Sequence, residues 1–189
     1  MNEILKAIKE RRAVRAYESR KVPRDIIDTI IDAGNNAPSG MNSQPWRFVV
    51  VEDDAVHKKM TETCIPNAKQ LLDPLKTSNL ERYEMIMKRY EEIEDPIYYC
   101  APAIIYVIGK GPFADHSCPL ACENMMLAAF SLGLGSCWVT FGSLFSDNEE
   151  LMALLEMEED EKIFGPIIIG YPSGSTEIPE KKGPEIKWI

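Results

Sequence analysis

Three arginines within five residues, Arg11, Arg12 and Arg15, form the densest cationic feature of a 189-residue chain whose formal net charge is -9. They follow Ile4, Leu5 and Ile8, whose spacing predicts a short amphipathic helix over the first ten residues, ending near Arg11. The guanidinium groups then sit at a helix end beside exposed backbone. An arginine fork matches phosphate oxygens in a bidentate way, so the cluster suits a phosphate dianion, with Lys181 and Lys182 able to complete the same site. Without further context the arginines equally describe a solvated basic turn. A second segment, Pro38 to Trp46, carries small and amide side chains. Its Asn42 and Gln44 pair donors with acceptors in a manner suited to the edge of a flat heterocycle. Read alone, it is a turn.

Side chains that carry chemistry unaided are scarce. Gly133-Leu134-Gly135 lacks the third glycine of a dinucleotide fingerprint. The chain has no Gly-Lys-Ser/Thr phosphate loop, no His-Glu-x-x-His helix and no Gly-x-Ser-x-Gly elbow. Its two histidines, His57 and His116, stand near no obvious nucleophile, which disfavours a hydrolase. A bound cofactor is the economical alternative. Cys118 and Cys122 can share a helix face, but with so few imidazoles no metal site is expected. The five cysteines contain no Cys-x-x-Cys pair and read as reduced, mostly buried thiols of a cytoplasmic protein. The acidic balance argues against nucleic acid and anionic membrane as partners. No export signal is evident, and no apolar stretch reaches the roughly 20 residues that span a bilayer.

These segments need elements to position them. A second helix is predicted from Pro23 through Ile26, Ile27, Ile30 and Ile31, stopping around Gly34-Asn35-Asn36. The Pro38 to Pro45 loop then feeds a strand at Phe48 to Val51. Residues 54–95 read as helical but broken at Pro66 and Pro74. This is the least apolar part of the chain, either an exposed excursion or a plain surface hairpin. Ala103 to Ile108 reads as a buried strand, and Asp115 to Leu132 as a long helix apolar on nearly all sides, which must be buried on more than one face. A partner subunit is a natural source of the second face. Ser136 to Thr140 and Ile163 to Ile169 are further strands. Ser146 and Glu149 have capping-box spacing before Leu151. The polar tail, 173–189, ends in Trp188-Ile189 and looks like an arm that docks on something else. One α+β domain over residues 1–189 is expected.

Taken together and in order, five segments resemble the FMN-dependent nitroreductase family. They are Arg11 to Tyr17, Ala37 to Trp46, Gly133 to Trp138, Gly170-Tyr171-Pro172 and Lys181-Lys182-Gly183-Pro184. The likeness is weakest over 54–95. Its most specific part is the arginine cluster followed, about 25 residues later, by Pro38-Ser39-x-x-Asn42-x-Gln44-Pro45-Trp46.

The resemblance implies an α+β nitroreductase-like fold with a mixed central sheet flanked by helices, and an interlocked homodimer built around the helix from Asp115. FMN would lie between the subunits. Arg11 and Arg12, with Lys182 and Lys181, would hold its phosphate, and Arg15 would sit near N1 and O2 of the isoalloxazine. Pro38, Ser39, Gly40, Met41 and Asn42 would come from the other subunit, with Gln44 close by, and Thr140 to Gly142 would approach the ring. Ala13 stands where the family usually has serine, leaving only its backbone to contribute. Lys182 stands where arginine is common, keeping the charge but losing the planar fork. NAD(P)H is implied as reductant and a nitroaromatic or quinone as acceptor. The segment 54–95 would shape the entrance, with Tyr83, Met85 and Tyr90 either stacking on substrate or packing the hairpin. Reductive dehalogenation on the same scaffold, or flavin binding without turnover, are the alternatives.

Overall fold

The computed structural model describes residues 2–174 and 180–189, so positions 175–179 of the C-terminal arm lie outside the described residues. Strand β2 (Ala103–Gly109) is buried along its whole length because both of its faces are covered. Ala103, Ile105 and Val107 enter one apolar cluster, and Ile104, Tyr106 and Ile108 enter another. That division is the two-residue period of a strand. β2 pairs antiparallel with β1 (Trp46–Val51) on one side and β4 (Lys162–Gly170) on the other, and β3 (Gly135–Trp138) pairs antiparallel with β4. The order is β1-β2-β4-β3. All four strands are thus antiparallel where a mixed sheet was expected. The parallel pairing among the described residues is an isolated bridge between Ala13 and Ser136.

One face of the sheet carries α2 (Arg24–Asn35) and α6 (Ala114–Ser131), which also pack on each other. They approach closely at Gly34, where an added Cβ would meet the Met125 side chain at 2.6 Å. The long apolar helix therefore buries Ala121, Cys122, Met125 and Ala129, while Leu120 remains exposed. Helix α1 (Glu3–Glu10) starts where the Asn2 side chain accepts a hydrogen bond from Leu5 N at 2.9 Å. It lies against α6 but buries only Ala7. Its apolar stripe points away from the core, with Ile4, Leu5 and Ile8 exposed at 70%, 53% and 56%.

The other face carries α3 (Asp54–Leu72), and here the expectation of a break at Pro66 fails, since the helix runs through it. Met60, Cys64, Ala68 and Leu72 recur every four residues and are all buried. Burying such a stripe, at about 1.5–3 kcal/mol for a large side chain, offsets the roughly 3 kcal/mol proline penalty. The other expected break, at Pro74, is found: the chain turns at Asp73-Pro74 before α4 (Leu75–Ser78) and α5 (Leu80–Glu92). The excursion is therefore two things: α3 belongs to the core, and α5 buries no residue. The predicted cap at Ser146 also shifts. Asn148 accepts from Leu151 N at 3.0 Å and starts α7 (Glu149–Leu154), because that register buries Leu151.

Candidate functional site

Helix α1 hands the arginine segment to the edge of the sheet. Arg12 Nη1 donates to the carbonyls of Lys9, at 2.8 Å, and of Arg11, closing the C-terminal end of α1. Val14 N donates to Ser136 O at 3.0 Å, and the Tyr17 hydroxyl donates back to Val14 O at 2.6 Å. Glu18 N and Ser173 N then tie the segment to Tyr171 O and Ala16 O, both at 2.9 Å. The stretch is stitched along β3 and the end of β4, so its side chains are presented from a fixed backbone. Gly135 makes the close approach possible, since a Cβ there would meet Val14 Cβ at 2.7 Å.

Beside this seam lies a cleft of about 240 Å³, lined by Arg11, Arg12, Phe130, Gly133, Ser136 and Pro172 among others. Three buried polar atoms belonging to its walls have no hydrogen-bond partner: Arg11 Nε, Arg12 Nε and Ser136 Oγ. Buried donors are normally satisfied. Arg11 Nε does lie 3.4 Å from Glu123 Oε1, within ion-pair range but without hydrogen-bond geometry. Burial pushes the thiol of neighbouring Cys137 up, and the charges of Arg15 and Arg11 pull it partly back. Arg11, Arg12 and Ser136 thus bring two guanidinium groups and a hydroxyl to the lining of one small cleft.

The Pro38 to Gln44 loop is elsewhere. It forms a 3-10 turn over Gly40–Asn42, and Met41, Asn42 and, just past the turn, Gln44 have left-handed backbone, with φ of 53°, 53° and 45°. Such strain in non-glycine residues gathers at functional sites. Ser39 Oγ accepts from Gln44 N at 3.0 Å, and Gly40 N donates to Ser117 Oγ at 3.3 Å. The loop thus leans on the first turn of α6, whereas the arginine cleft reaches Phe130 near its end. At 1.5 Å per residue, Ser117 and Phe130 stand about 20 Å apart along the helix. One chain does not bring the two halves of the expected site together. Lys181 and Lys182 are exposed beyond the undescribed stretch, and among the described residues neither is paired.

Two further pieces carry buried polar networks. Thr140 to Gly142 lies in a 3-10 turn, and its Gly142 carbonyl accepts from the buried hydroxyls of Tyr98 at 2.7 Å and Tyr106 at 3.1 Å. Asp95, 6% exposed, gathers a turn around its carboxylate. Oδ1 accepts from Thr61 Oγ1, Ile97 N and Tyr98 N, and Oδ2 accepts from Cys100 N and lies 3.0 Å from His57 Nε2. Burial alone would raise its carboxyl, but the bonds from His57, Tyr98 and Cys100 outweigh that and hold it below its ordinary value. Tyr99 and Cys100 follow in left-handed conformation, with φ of 58° and 52°. His57, Thr61, Asp95 and Cys100 also border a separate cavity of about 510 Å³ that none of the predicted site residues lines.

Residues 8–171 match the model of the nitroreductase family. The chain belongs to that family. A relative in Methanothermobacter thermautotrophicus, named "Putative NADH dehydrogenase/NAD(P)H nitroreductase", is 30% identical over 90% of this chain and 78% of its own. The crystal structure of a nitroreductase with bound FMN from Desulfitobacterium hafniense matches with a TM-score of 0.81 at 26% identity, covering 100% of this chain and 99% of that one. An iodotyrosine deiodinase of Thermotoga neapolitana is 28% identical over 87% of this chain and 86% of its own.

In this nitroreductase-family chain, some residues beside the arginine segment carry no role in the sequence reading. Ser136 stands within the Gly133 to Trp138 segment without a role of its own, and Glu123 carries no motif. Asp95 did carry a signal, since an Asp-Pro pair favours turn initiation. Among the described residues no helix is long and apolar enough to cross a membrane.

Proposed function

We propose that this protein is an FMN-dependent oxidoreductase, working as a homodimer, that passes electrons from NAD(P)H to a flat, electron-poor acceptor such as a nitroaromatic or quinone. The observation that carries the reading is the trio of buried atoms without a hydrogen bond, Arg11 Nε, Arg12 Nε and Ser136 Oγ, in residues lining one cleft of about 240 Å³. The donor set fits the phosphate of FMN. When bound, the flavin supplies the hydride and electron chemistry that this chain's side chains lack. Arg11 and Arg12 hold the phosphate, joined by Lys181 and Lys182, and Ala13 contributes only through its backbone. Arg15, three residues beyond Arg12 on the same stitched segment, offers positive charge where negative charge develops on N1 and O2, as an oxyanion hole does.

Assembly as a homodimer supplies the rest. A two-fold axis across the middle of α6 exchanges its ends, so one chain's Pro38, Ser39, Gly40, Met41, Asn42 and Gln44 meet the partner's arginines. The outward apolar stripe of α1 supports such an interface. The turn from Thr140 to Gly142 borders the ring, and residues 54–95 shape the entrance through α5. The match to an iodotyrosine deiodinase favours one second reading, reductive dehalogenation of an aryl halide.

The test begins with the visible spectrum of the purified protein after loading with FMN, then anaerobic titration with NADH and with NADPH. A yellow protein bleached by either nucleotide and reoxidised by a quinone supports the reading. A colourless one refutes it, and a yellow one inert to both nucleotides leaves a flavin binder without turnover. Loss of iodide from an aryl iodide separates the dehalogenase. Arg15→Ala should slow bleaching and lower the flavin potential; an unchanged potential rules out its role.

A further inference from the structure

We infer that Arg89 on α5 selects acceptors that carry an anionic group, above all a carboxylate on the flat ring, with Tyr99 as the platform that holds Arg89 beside Arg15. The inference rests on the FMN reading of the arginine segment and names the substrate class for that site. Three observations carry it.

The first is a shared ring. The guanidinium carbon of Arg15 lies 5.9 Å from the Tyr99 ring centroid and that of Arg89 lies 5.3 Å from it, both within cation–π reach. Arg15 comes from the segment after α1, and Arg89 from the last turn of α5. The exposed helix of the excursion therefore reaches back to the residue proposed to face the flavin ring.

The second is construction. Tyr99 does not lie on a relaxed loop. Its left-handed backbone and that of Cys100 are imposed by the Asp95 carboxylate, which collects the flanking amides of Ile97, Tyr98 and Cys100. Strain maintained by a buried network points to a position that matters for function.

The third is unused charge in an acidic protein. Among the described residues, neither Arg15 nor Arg89 makes a side-chain hydrogen bond or ion pair. Of the other cations on α4 and α5, Lys76 pairs with Asp73 and Lys88 with Glu92, while Arg82 is also unpaired among the described residues but reaches no ring shared with Arg15. Tyr90, next to Arg89, has a buried hydroxyl without a partner. With Arg15 committed to the cofactor, Arg89 is the free cation at the same ring, and a planar fork suits a carboxylate. If Arg89 only stacked on Tyr99, acceptor charge would be irrelevant.

The test uses the oxidised, FMN-loaded protein and calorimetric titration with para-nitrobenzoate and para-nitrobenzamide, which differ chiefly in charge. The carboxylate should bind about fivefold tighter, the upper range for an ion pair that solvent can reach. Arg89→Ala and Arg89→Gln should erase that preference, Arg89→Lys should keep part of it, and added salt should shrink it in the wild type. The ratio of kcat/KM for the two compounds should follow the binding ratio. Equal affinities in the wild type overturn the inference, and so does a preference that survives Arg89→Ala, since it then belongs to Arg15. A protein that stays colourless with FMN overturns the underlying reading and this one with it. A yellow protein whose preference ignores Arg89 overturns this one alone.

Discussion

Replacing Asp95 should be among the most damaging single changes in this protein, although no cofactor is proposed to touch it. Its carboxylate accepts from three backbone amides at 2.9–3.1 Å and from Thr61 at 3.1 Å, with His57 at 3.0 Å. Asp95→Ala strips the acceptor from all of them. A buried donor left bare costs about 1–3 kcal/mol. Water entering from the adjoining cavity should satisfy some, leaving a loss of about 3–4 kcal/mol. For a chain of this size that lowers Tm by about 10 °C. Asp95→Asn keeps an oxygen for Ile97 N and Tyr98 N but sets an amide nitrogen against Cys100 N, so about 2 kcal/mol is expected.

The pH dependence has a definite sign. Because the folded carboxyl lies below the ordinary aspartate value of 3.8, its contribution is present above that value and fades as pH falls through the folded value. The gap between wild type and Asp95→Asn should therefore be full at neutral pH and narrow in strong acid. Urea unfolding followed by circular dichroism at both extremes measures it. A loss below about 1 kcal/mol for Asp95→Ala, or a gap indifferent to acid, would refute the account of this turn.

Two further changes probe the anion cleft. Arg11→Ala should weaken FMN binding by about tenfold or more, the scale of a charge-assisted hydrogen bond. Glu123→Gln should instead tighten it severalfold, because the carboxylate 3.4 Å from Arg11 Nε competes with phosphate; quenching of flavin fluorescence reads both, and weaker binding by Glu123→Gln would contradict the competition. Gly135→Ala should destabilise the fold by about 1–3 kcal/mol and weaken FMN binding together, since Val14 is too stiff to yield to the added methyl. Wild-type denaturation midpoints and FMN affinity in that variant would speak against the seam described here.

Much of the architecture was legible because single residues act on short range. Pro23 and Gly34-Asn35 bound α2 as predicted, and the run from Ala103 to Ile108 is a strand buried on both sides. Pro66 misled because a local rule was outweighed by packing on a sheet distant in sequence, and Ser146 because Asn148 offers the same cap in a better register. The arginines and the Pro38 loop were recognisable as motifs, since both depend on residue type at fixed spacing. Their separation along α6 was not, because it depends on where two loops land on one helix. The placement of Ser136 and Glu123 beside the arginines emerged only in three dimensions, and Asp95-Pro96 marked a turn without showing that its carboxylate gathers the backbone leading to Tyr99.

The distribution of thiols gives the fold a built-in reporter. Cys64 and Cys137 belong to the apolar cluster on one side of the sheet, and Cys118 and Cys122 to the cluster on the other. Burial pushes Cys64 and Cys118 up to about 11 and Cys122 up to about 12, so alkylation at neutral pH must wait for each layer to open. Cys100 is the exposed one. Mapping the order in which the four buried sites become modified would show whether the two layers come apart separately or in one cooperative step.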